Sequence, residues 1–245
     1  MATFTSFNNR LPDPTFLVND AGAVGVTGAK GPGFASTRVI SNEDTTVSRT
    51  NSGRGVPRSG ATQYWEISIT YNPMLRDEFD VVDTFLHSRR GRRKAFFVVL
   101  PQYSRPKDPA FVTFATDKIL KAANATSEGS PTLNIVTEDE STFTSYPRPG
   151  DFFTISDPTD INHLKAYKVI AVETNDLYQE DTIQPPVNQV RVHINPPLTK
   201  FVTGNAVINF IDPQFRVIQK GDVIEHELNT DNLYQFGLQL EEIMP

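Results

Sequence analysis

The densest positive charge in the sequence lies in one short run, Arg89-Arg90-Gly91-Arg92-Arg93-Lys94. Guanidinium groups form forked hydrogen bonds with phosphates or with the carboxylates of another protein. Phosphate binding is the weaker interpretation, because the whole chain has a net charge of −6 and no aromatic residue interrupts the run. We therefore predict that the run belongs to a subunit interface, together with Arg54 and Arg58 from a glycine-rich segment.

Other residues that could do chemistry lack the required spacing. The chain has no cysteine, which excludes thiolate metal sites, disulfides and cysteine nucleophiles. None of the four histidines is spaced as a metal pair, and neither a nucleophile elbow nor a phosphate-binding glycine loop occurs. Carboxylate-rich stretches at 138–140 and 157–160 do not follow the calcium-loop pattern. We predict no catalytic, metal or cofactor residues and no enzymatic activity, although a glycosidase pair needs no local motif and stays open.

The composition is that of a folded β-rich protein. The chain of 245 residues is 38% hydrophobic and 10% aromatic, and no apolar run approaches the roughly 18 residues of a spanning helix. We therefore expect no membrane insertion. The first 20 residues lack the apolar segment of a secretory signal. The length suits one large or two small domains.

The strongest segments alternate with period two, as half-buried strands do. In 64–71, Trp65, Ile67, Ile69 and Tyr71 share one face. The run 95–100 is continuously apolar, which favours a strand buried on both faces. Further strands are predicted at 15–18, 36–41, 45–50, 111–114, 132–136, 151–155, 167–173, 187–194, 206–211, 215–219 and 234–241.

One segment has a helical period instead. Leu75, Phe79, Val82 and Phe85 recur on one helical face, which predicts a helix over 75–88. Acidic residues lie in its first half and basic residues at its end, as the helix dipole favours, and Gly91 is the expected stop.

Charge and proline divide the chain near residue 108. Residues 1–110 hold 14 basic and 10 acidic side chains, a balance of +4, whereas residues 111–245 have a balance of −10. Pro101, Pro106 and Pro109 punctuate the boundary. Residues 20–34 and 51–61 are predicted as long mobile loops, and 38–50 as a hairpin that turns at 42–44.

A resemblance to a known family starts at residue 59. The pattern is Ser59-Gly60-x-x-Gln63-x-Trp65, a strand to Tyr71, then Pro73, a helix that ends in Phe85-Leu86 and Arg90-Gly91, and an apolar strand that closes at Pro101. Later pieces are Pro149-Gly150-Asp151-Phe152, Lys165-Ala166-Tyr167-Lys168-Val169, a Pro196-Pro197-Leu198 ending, Phe215-Arg216-Val217 and the strand 233–242. These pieces resemble tail proteins of tailed bacteriophages, in the tail-tube, distal-tail and baseplate-hub group.

The resemblance implies a fold and a function. The expected fold is mainly β: a small β-barrel or split β-sandwich with one short helix packed on it, formed by 1–107 plus 211–245 and interrupted by an inserted β-domain at 108–210. The implied function is a structural virion protein that forms a ring, a hexamer or alternatively a trimer, with a channel for DNA that is not bound sequence-specifically. Its partners would be copies of itself, tail-tube proteins and baseplate or fibre proteins. The implied location is the virion tail, after assembly in the host cytoplasm.

A second interpretation stays open. The inserted β-domain would recognise a glycan or a receptor through exposed aromatic residues, for which Tyr146, Phe152 and Tyr178 are the candidates. The opposing interpretation is that these side chains belong to the core.

Overall fold

The computed structural model describes residues 9–15, 17–18, 29–161, 163–179, 182–221, 226–228 and 232–244. The described helices are α1 (Arg76–Arg89) and α2 (Pro109–Asp117), with short 3₁₀ turns at Gly91–Arg93 and Pro101–Tyr103. The strands, in chain order, are β1 (Leu17–Val18), β2 (Ala29–Lys30), β3 (Phe34–Arg49), β4 (Gly55–Tyr71), β5 (Phe96–Val99), β6 (Leu120–Ala122), β7 (Thr132–Thr137), β8 (Phe152–Ser156), β9 (Ala166–Glu173), β10 (Gln189–Asn195), β11 (Val207–Asn209), β12 (Gln214–Gln219), β13 (His226–Leu228) and β14 (Tyr234–Glu242). The mainly β class expected from the sequence is confirmed.

The chain divides into two compact units. The first contains Met1–Val98 and Arg216–Ile243, and the second contains Val99–Phe215 with the last two residues. No described helix is long and apolar enough to span a bilayer.

The first unit is built on an open sheet with the strand order β3-β4-β14-β12-β5, and β13 pairs with β14. The predicted alternation in β4 is confirmed, since Trp65, Ile67, Ile69 and Tyr71 are all buried. The register places Ile67 opposite Leu240 and Ile69 opposite Leu238, so that β4 and β14 share one buried face.

Helix α1 lies where the period of 3.6 predicts it and covers this buried face. Phe79 stacks on Tyr234 with ring centroids 4.5 Å apart and meets the edge of Phe236 at 5.9 Å. The helix ends at Arg89, two residues before the predicted glycine stop. Arg90 itself adopts the left-handed conformation, with φ 56°, and its N–H donates to the carbonyl of His87.

The predicted hairpin turn at 42–44 and the predicted loop at 51–61 are wrong. Residues 34–49 form one strand, β3, which pairs with β4 from Phe34 opposite Tyr71 to Arg49 opposite Gly55. The register shifts between Glu43 and Thr45, and this β-bulge interrupts the alternation that would otherwise have marked a single strand. The turn lies at 50–54, where Gly53 has a φ of +80°. The predicted loop at 20–34 lies partly outside the described residues, and its described part includes β2.

The second unit contains a closed barrel with the strand order β10-β7-β6-β11-β8-β9. Inward side chains fill it, as expected for a barrel with few strands. Phe153 is fully buried and lies 5.7 Å from the ring of Tyr167 and 5.1 Å from the ring of Phe210.

A second helix, α2, replaces the strand predicted at 111–114. Asp108 is its N-cap, since its carboxylate accepts a hydrogen bond from the N–H of Ala110 at 2.9 Å, and Pro109 occupies the first turn. Phe111 and Phe114, spaced i and i+3, face the barrel core.

The motif residues of this unit hold its structure together. Gly150 has a φ of +95°, and the carboxylate of Asp151 accepts hydrogen bonds from the N–H groups of Lys107 and Arg148 at 3.0 and 2.7 Å. The hydroxyl of Tyr167 accepts a bond from the N–H of Thr199 at 3.1 Å. The glycine-aspartate and tyrosine motifs therefore fix loops to the barrel.

Candidate interaction surfaces

The basic run lies in the tight connection between α1 and β5. Arg90 is left-handed, Gly91 follows with a φ of 63°, and a 3₁₀ turn carries Arg92 and Arg93. The residues of this connection, 89–94, are called the basic turn below. Of its five cations, Arg90, Arg92, Arg93 and Lys94 are exposed, and Arg89 is half-buried.

Arg89 differs from its neighbours because its side chain is engaged within the chain. The guanidinium lies over the ring of Phe85, 4.5 Å from the centroid, and Nη1 donates to Oδ1 of Asn9 at 2.8 Å. Burial lowers the pKa of Arg89. Arg89 therefore fixes the segment around residue 9 to the end of α1.

Arg92 faces a carboxylate of the sheet. Its Nη2 lies 3.8 Å from Glu241, and both side chains are partly exposed, so the pair contributes at most about 1 kcal/mol. Arg90, Arg93 and Lys94 form no ion pair or side-chain hydrogen bond with any described residue. These three cations are therefore available to another molecule.

Arg54 and Arg58 lie on a different element, the outer half of the β3–β4 hairpin. Residues 45–59, called the arm below, pair only with each other among the described strands. The arm contains three arginines and no acidic residue. Its side chains at 45–58 are exposed on both faces, and Val47 is 63% exposed. The predicted interface residues thus divide between the basic turn and the arm.

The outward face of the sheet is polar. Ser68 and Thr70 of β4 lie opposite Gln239 and Gly237 of β14, with Glu66 opposite Glu241. The hydrogen bond from Lys220 to Glu66, 2.8 Å long, raises the pKa of Lys220. The alternation of β4 already indicated this face, but its cross-strand partners depend on long-range pairing and were not visible locally.

The acidic stretches of the second unit are partly neutralised within it. Glu138 pairs with Lys121, and Asp139 pairs with Lys118, whose hydrogen bond lowers the pKa of the Asp139 carboxyl. Among the described residues no group of three histidine, aspartate or glutamate side chains is arranged to hold a metal ion.

The aromatic residues proposed for glycan stacking do not form one platform. Phe152 is only 3% exposed and packs between Tyr103 and Phe215, so its predicted binding role is wrong. Tyr146 and Tyr178 are 37% and 42% exposed, and Tyr146 stacks on Phe143.

The first unit thus presents an open sheet with an exposed basic arm, and the second unit contains a closed barrel. The resemblance to tail proteins of tailed bacteriophages, in the tail-tube, distal-tail and baseplate-hub group, is confirmed by two comparisons. Residues 25–103 match the family model described as distal tail protein pb9, A domain, N-terminal. The chain is also 26% identical over 235 residues to the distal tail protein pb9 of Escherichia phage T5, which covers 95% of this chain and 98% of that protein. Both comparisons support the assignment of this chain as a structural distal tail protein of a phage tail.

Proposed function

We propose that this chain is a ring-forming subunit at the distal end of a phage tail, where it joins the tail tube to host-recognition parts and leaves a channel for DNA. The ring is a hexamer or a trimer. The barrel at 108–210 is the inserted domain, and it contacts fibre or baseplate proteins. The observation that carries this proposal is the open edge of β3 with its basic arm.

The two edges of the sheet differ. At the β5 edge, the N–H of Phe97 donates to Asn9 and its carbonyl accepts from Leu11, at 2.7 and 2.8 Å, so that edge is covered. At the other edge, β3 pairs along one side with β4 and with no described strand along the other. A strand edge of 16 residues is a template for pairing with another chain.

The β3 edge, which pairs with no described strand, can meet either the same edge of another copy or a different surface of that copy. Pairing between two identical β3 edges would produce a closed dimer, whereas an arm that meets a different surface of the next copy produces a ring when the rotation closes. The charges support the second arrangement. The arm and the exposed cations of the basic turn are positive, and residues 111–245 have a balance of −10. Opposite charges on the two contacting surfaces guide such an encounter.

Assembly can be measured by size-exclusion chromatography with light scattering and by negative-stain microscopy. We expect rings from the wild-type chain and mostly monomers from Arg54→Glu/Arg58→Glu and from Arg93→Glu/Lys94→Glu. Arg76→Glu/Arg105→Glu is the matched control, since it reverses two exposed charges outside both surfaces. Rings from both interface variants would contradict the proposed contacts. A wild-type chain that stays monomeric alone and with its tail-tube protein would contradict the ring itself.

A further inference from the structure

The barrel carries a polar groove on its outer face. Its volume is about 360 Å³, and outward side chains of β7 and β10 form its floor, between the segments 124–130 and 182–183. Its lining includes Thr126, Thr132, Asn134, Ile183, Arg191 and His193.

A buried carboxylate organises the floor. Glu173 is only 3% exposed, and its Oε2 accepts a hydrogen bond from Nη1 of Arg191 at 2.8 Å. Its Oε1 accepts a hydrogen bond from Nε2 of His193 at 2.7 Å. Burial acts to raise the pKa of Glu173, but the hydrogen bonds from His193 and Arg191 outweigh burial and leave this pKa below its usual value. Glu173 is therefore ionised and holds both basic side chains in place.

The guanidinium of Arg191 is fixed from two further directions. Its Nε donates to Oδ1 of Asn134 at 3.2 Å, and its Nη2 donates to the carbonyl of Ile183 at 2.7 Å. Of five guanidinium N–H groups, these contacts and the bond to Glu173 use three, and one remains on each Nη. Asn134 uses its oxygen for Arg191, and its amide N–H groups donate to no described residue, so we take them as available to a ligand. Preorganised donors of this kind need little ordering when a ligand binds.

His193 adds an imidazole ring to the same floor. His193 donates through Nε2 to an ionised carboxylate, so its Nδ1 is an acceptor in the neutral form. Thr132 on the neighbouring strand offers a hydroxyl, and the side chain of Ile183, 84% exposed, offers an apolar wall. The groove thus combines donors for an oxyanion, partners for hydroxyls and one small apolar surface.

We propose that this groove binds an acidic saccharide, that is, a sugar ring that carries one carboxylate or phosphate. The oxyanion accepts hydrogen bonds from Arg191 and Asn134, hydroxyls of the sugar bond to His193 and Thr132, and the C–H face of the sugar lies against Ile183. A polyanion such as nucleic acid does not suit the site, because residues 111–245 have a balance of −10 and repel extended negative charge.

The test is isothermal titration calorimetry of the full chain with glucuronate, glucose 6-phosphate, glucose and inorganic phosphate. We expect one of the two acidic sugars to bind at least tenfold more tightly than glucose and than phosphate, and the stronger of the two identifies the oxyanion. Equal binding of all four compounds, or no saturable binding of either acidic sugar, overturns the proposal.

A variant separates binding from structure. Asn134→Asp keeps the oxygen that accepts from Arg191 but replaces the amide donors with a negative charge. We expect it to fold like wild type and to lose at least tenfold in affinity for the acidic sugar. Asn209→Asp is the matched control, since it adds the same charge at an exposed barrel position outside the groove lining and keeps the oxygen that accepts from Ile211. Unchanged affinity in Asn134→Asp, or equal loss in both variants, overturns the proposal.

Discussion

The carboxylate of Asp157 ties the end of β8 to the segment before β11, and its replacement tests how the barrel is closed. Asp157 is 3% exposed. Its Oδ2 accepts from the N–H of Thr203 at 2.8 Å, and its Oδ1 accepts from the N–H of Thr159 at 2.9 Å. The hydroxyls of both threonines also donate to Oδ1. Burial acts to raise the pKa of Asp157, but these hydrogen bonds outweigh it and lower the pKa to about 2.

The size of the effect follows from this pKa. The shift from 3.8 to about 2 corresponds to about 2.4 kcal/mol, which we reduce to about 2 kcal/mol because solvent screens part of the charge near the barrel end. In Asp157→Asn one oxygen remains for the bonds to Oδ1, but an N–H donor then faces the N–H donor of Thr203. A lost hydrogen bond to a charged group is worth about 1.5–3 kcal/mol, in agreement with that figure. We expect Asp157→Asn to lower the free energy of unfolding by about 2 kcal/mol at pH 7.

The pH dependence has a definite sign. A folded pKa below the unfolded value stabilises the folded state above the unfolded pKa, and this stabilisation is lost as the pH falls through the folded pKa. The difference between wild type and Asp157→Asn should therefore be full above about pH 5 and shrink between pH 4 and pH 2. The assay is urea unfolding followed by far-UV circular dichroism. Trp65, the only tryptophan, reports on the first unit by fluorescence. A loss below about 0.5 kcal/mol at pH 7, or a difference that stays constant down to pH 2, would refute the reasoning.

Three further changes have expected outcomes in the same unfolding assays. Phe153→Ala empties a fully buried site in the barrel and should cost about 3–5 kcal/mol, measured by urea unfolding; a cost below 1 kcal/mol would mean that the barrel collapses around the gap. Arg90→Gly relieves the backbone strain of a residue with a side chain in the left-handed conformation, so it should raise the free energy of unfolding by about 0.5 kcal/mol. It also removes one cation of the basic turn, so fewer rings should form. A lower free energy of unfolding would show that Arg90 is not strained. Replacement of residues 45–59 by a two-residue Asn-Gly turn should leave the Trp65 unfolding transition within about 0.5 kcal/mol of wild type and abolish rings, because the arm pairs only with itself among the described strands. A large shift of that transition would show that the arm supports the sheet.

Local pattern predicted the elements that bury one regular face. The strand at 64–71, the helix at 75–88 and the terminal strand at 234–241 each show a clear period, because one side of each element is core. The failures have three causes. The arm is exposed on both faces, so 51–61 shows no alternation and is predicted as a loop. The strand predicted at 45–50 is assigned to the wrong hairpin, because the β-bulge after Glu43 interrupts the alternation of β3. The run 111–114 is too short to separate strand from helix by apolar content, although Asp108-Pro109 is a helix-start signal that would have decided it.

The candidate sites show a similar limit. The residues of the basic turn are contiguous in sequence, so the sequence alone identifies the cluster. Only the structure shows that Arg89 differs from the other four cations, through its contacts with Asn9 and Phe85. The barrel groove draws on strands that are far apart in the sequence, with Asn134 on β7 and Arg191 on β10 joined by strand pairing. Residues that meet only through barrel closure leave no local spacing to recognise.

The ion pairs within the barrel restrict which of its carboxylates can bind the cations of a neighbouring copy. The balance of −10 after residue 110 suggested acid in excess for the basic surfaces, but Glu138, Asp139 and Glu173 are already paired inside the second unit. A carboxylate that left its present cation to bind an arginine of the arm would lose one ion pair while it gained another. The net gain in binding free energy would therefore be small. Exposed carboxylates without an ion pair among the described residues, such as Glu128 and Asp176, retain their full attraction for a cation. A neighbouring copy that receives the arm should therefore do so at the loops that carry these residues rather than at the paired faces of the barrel.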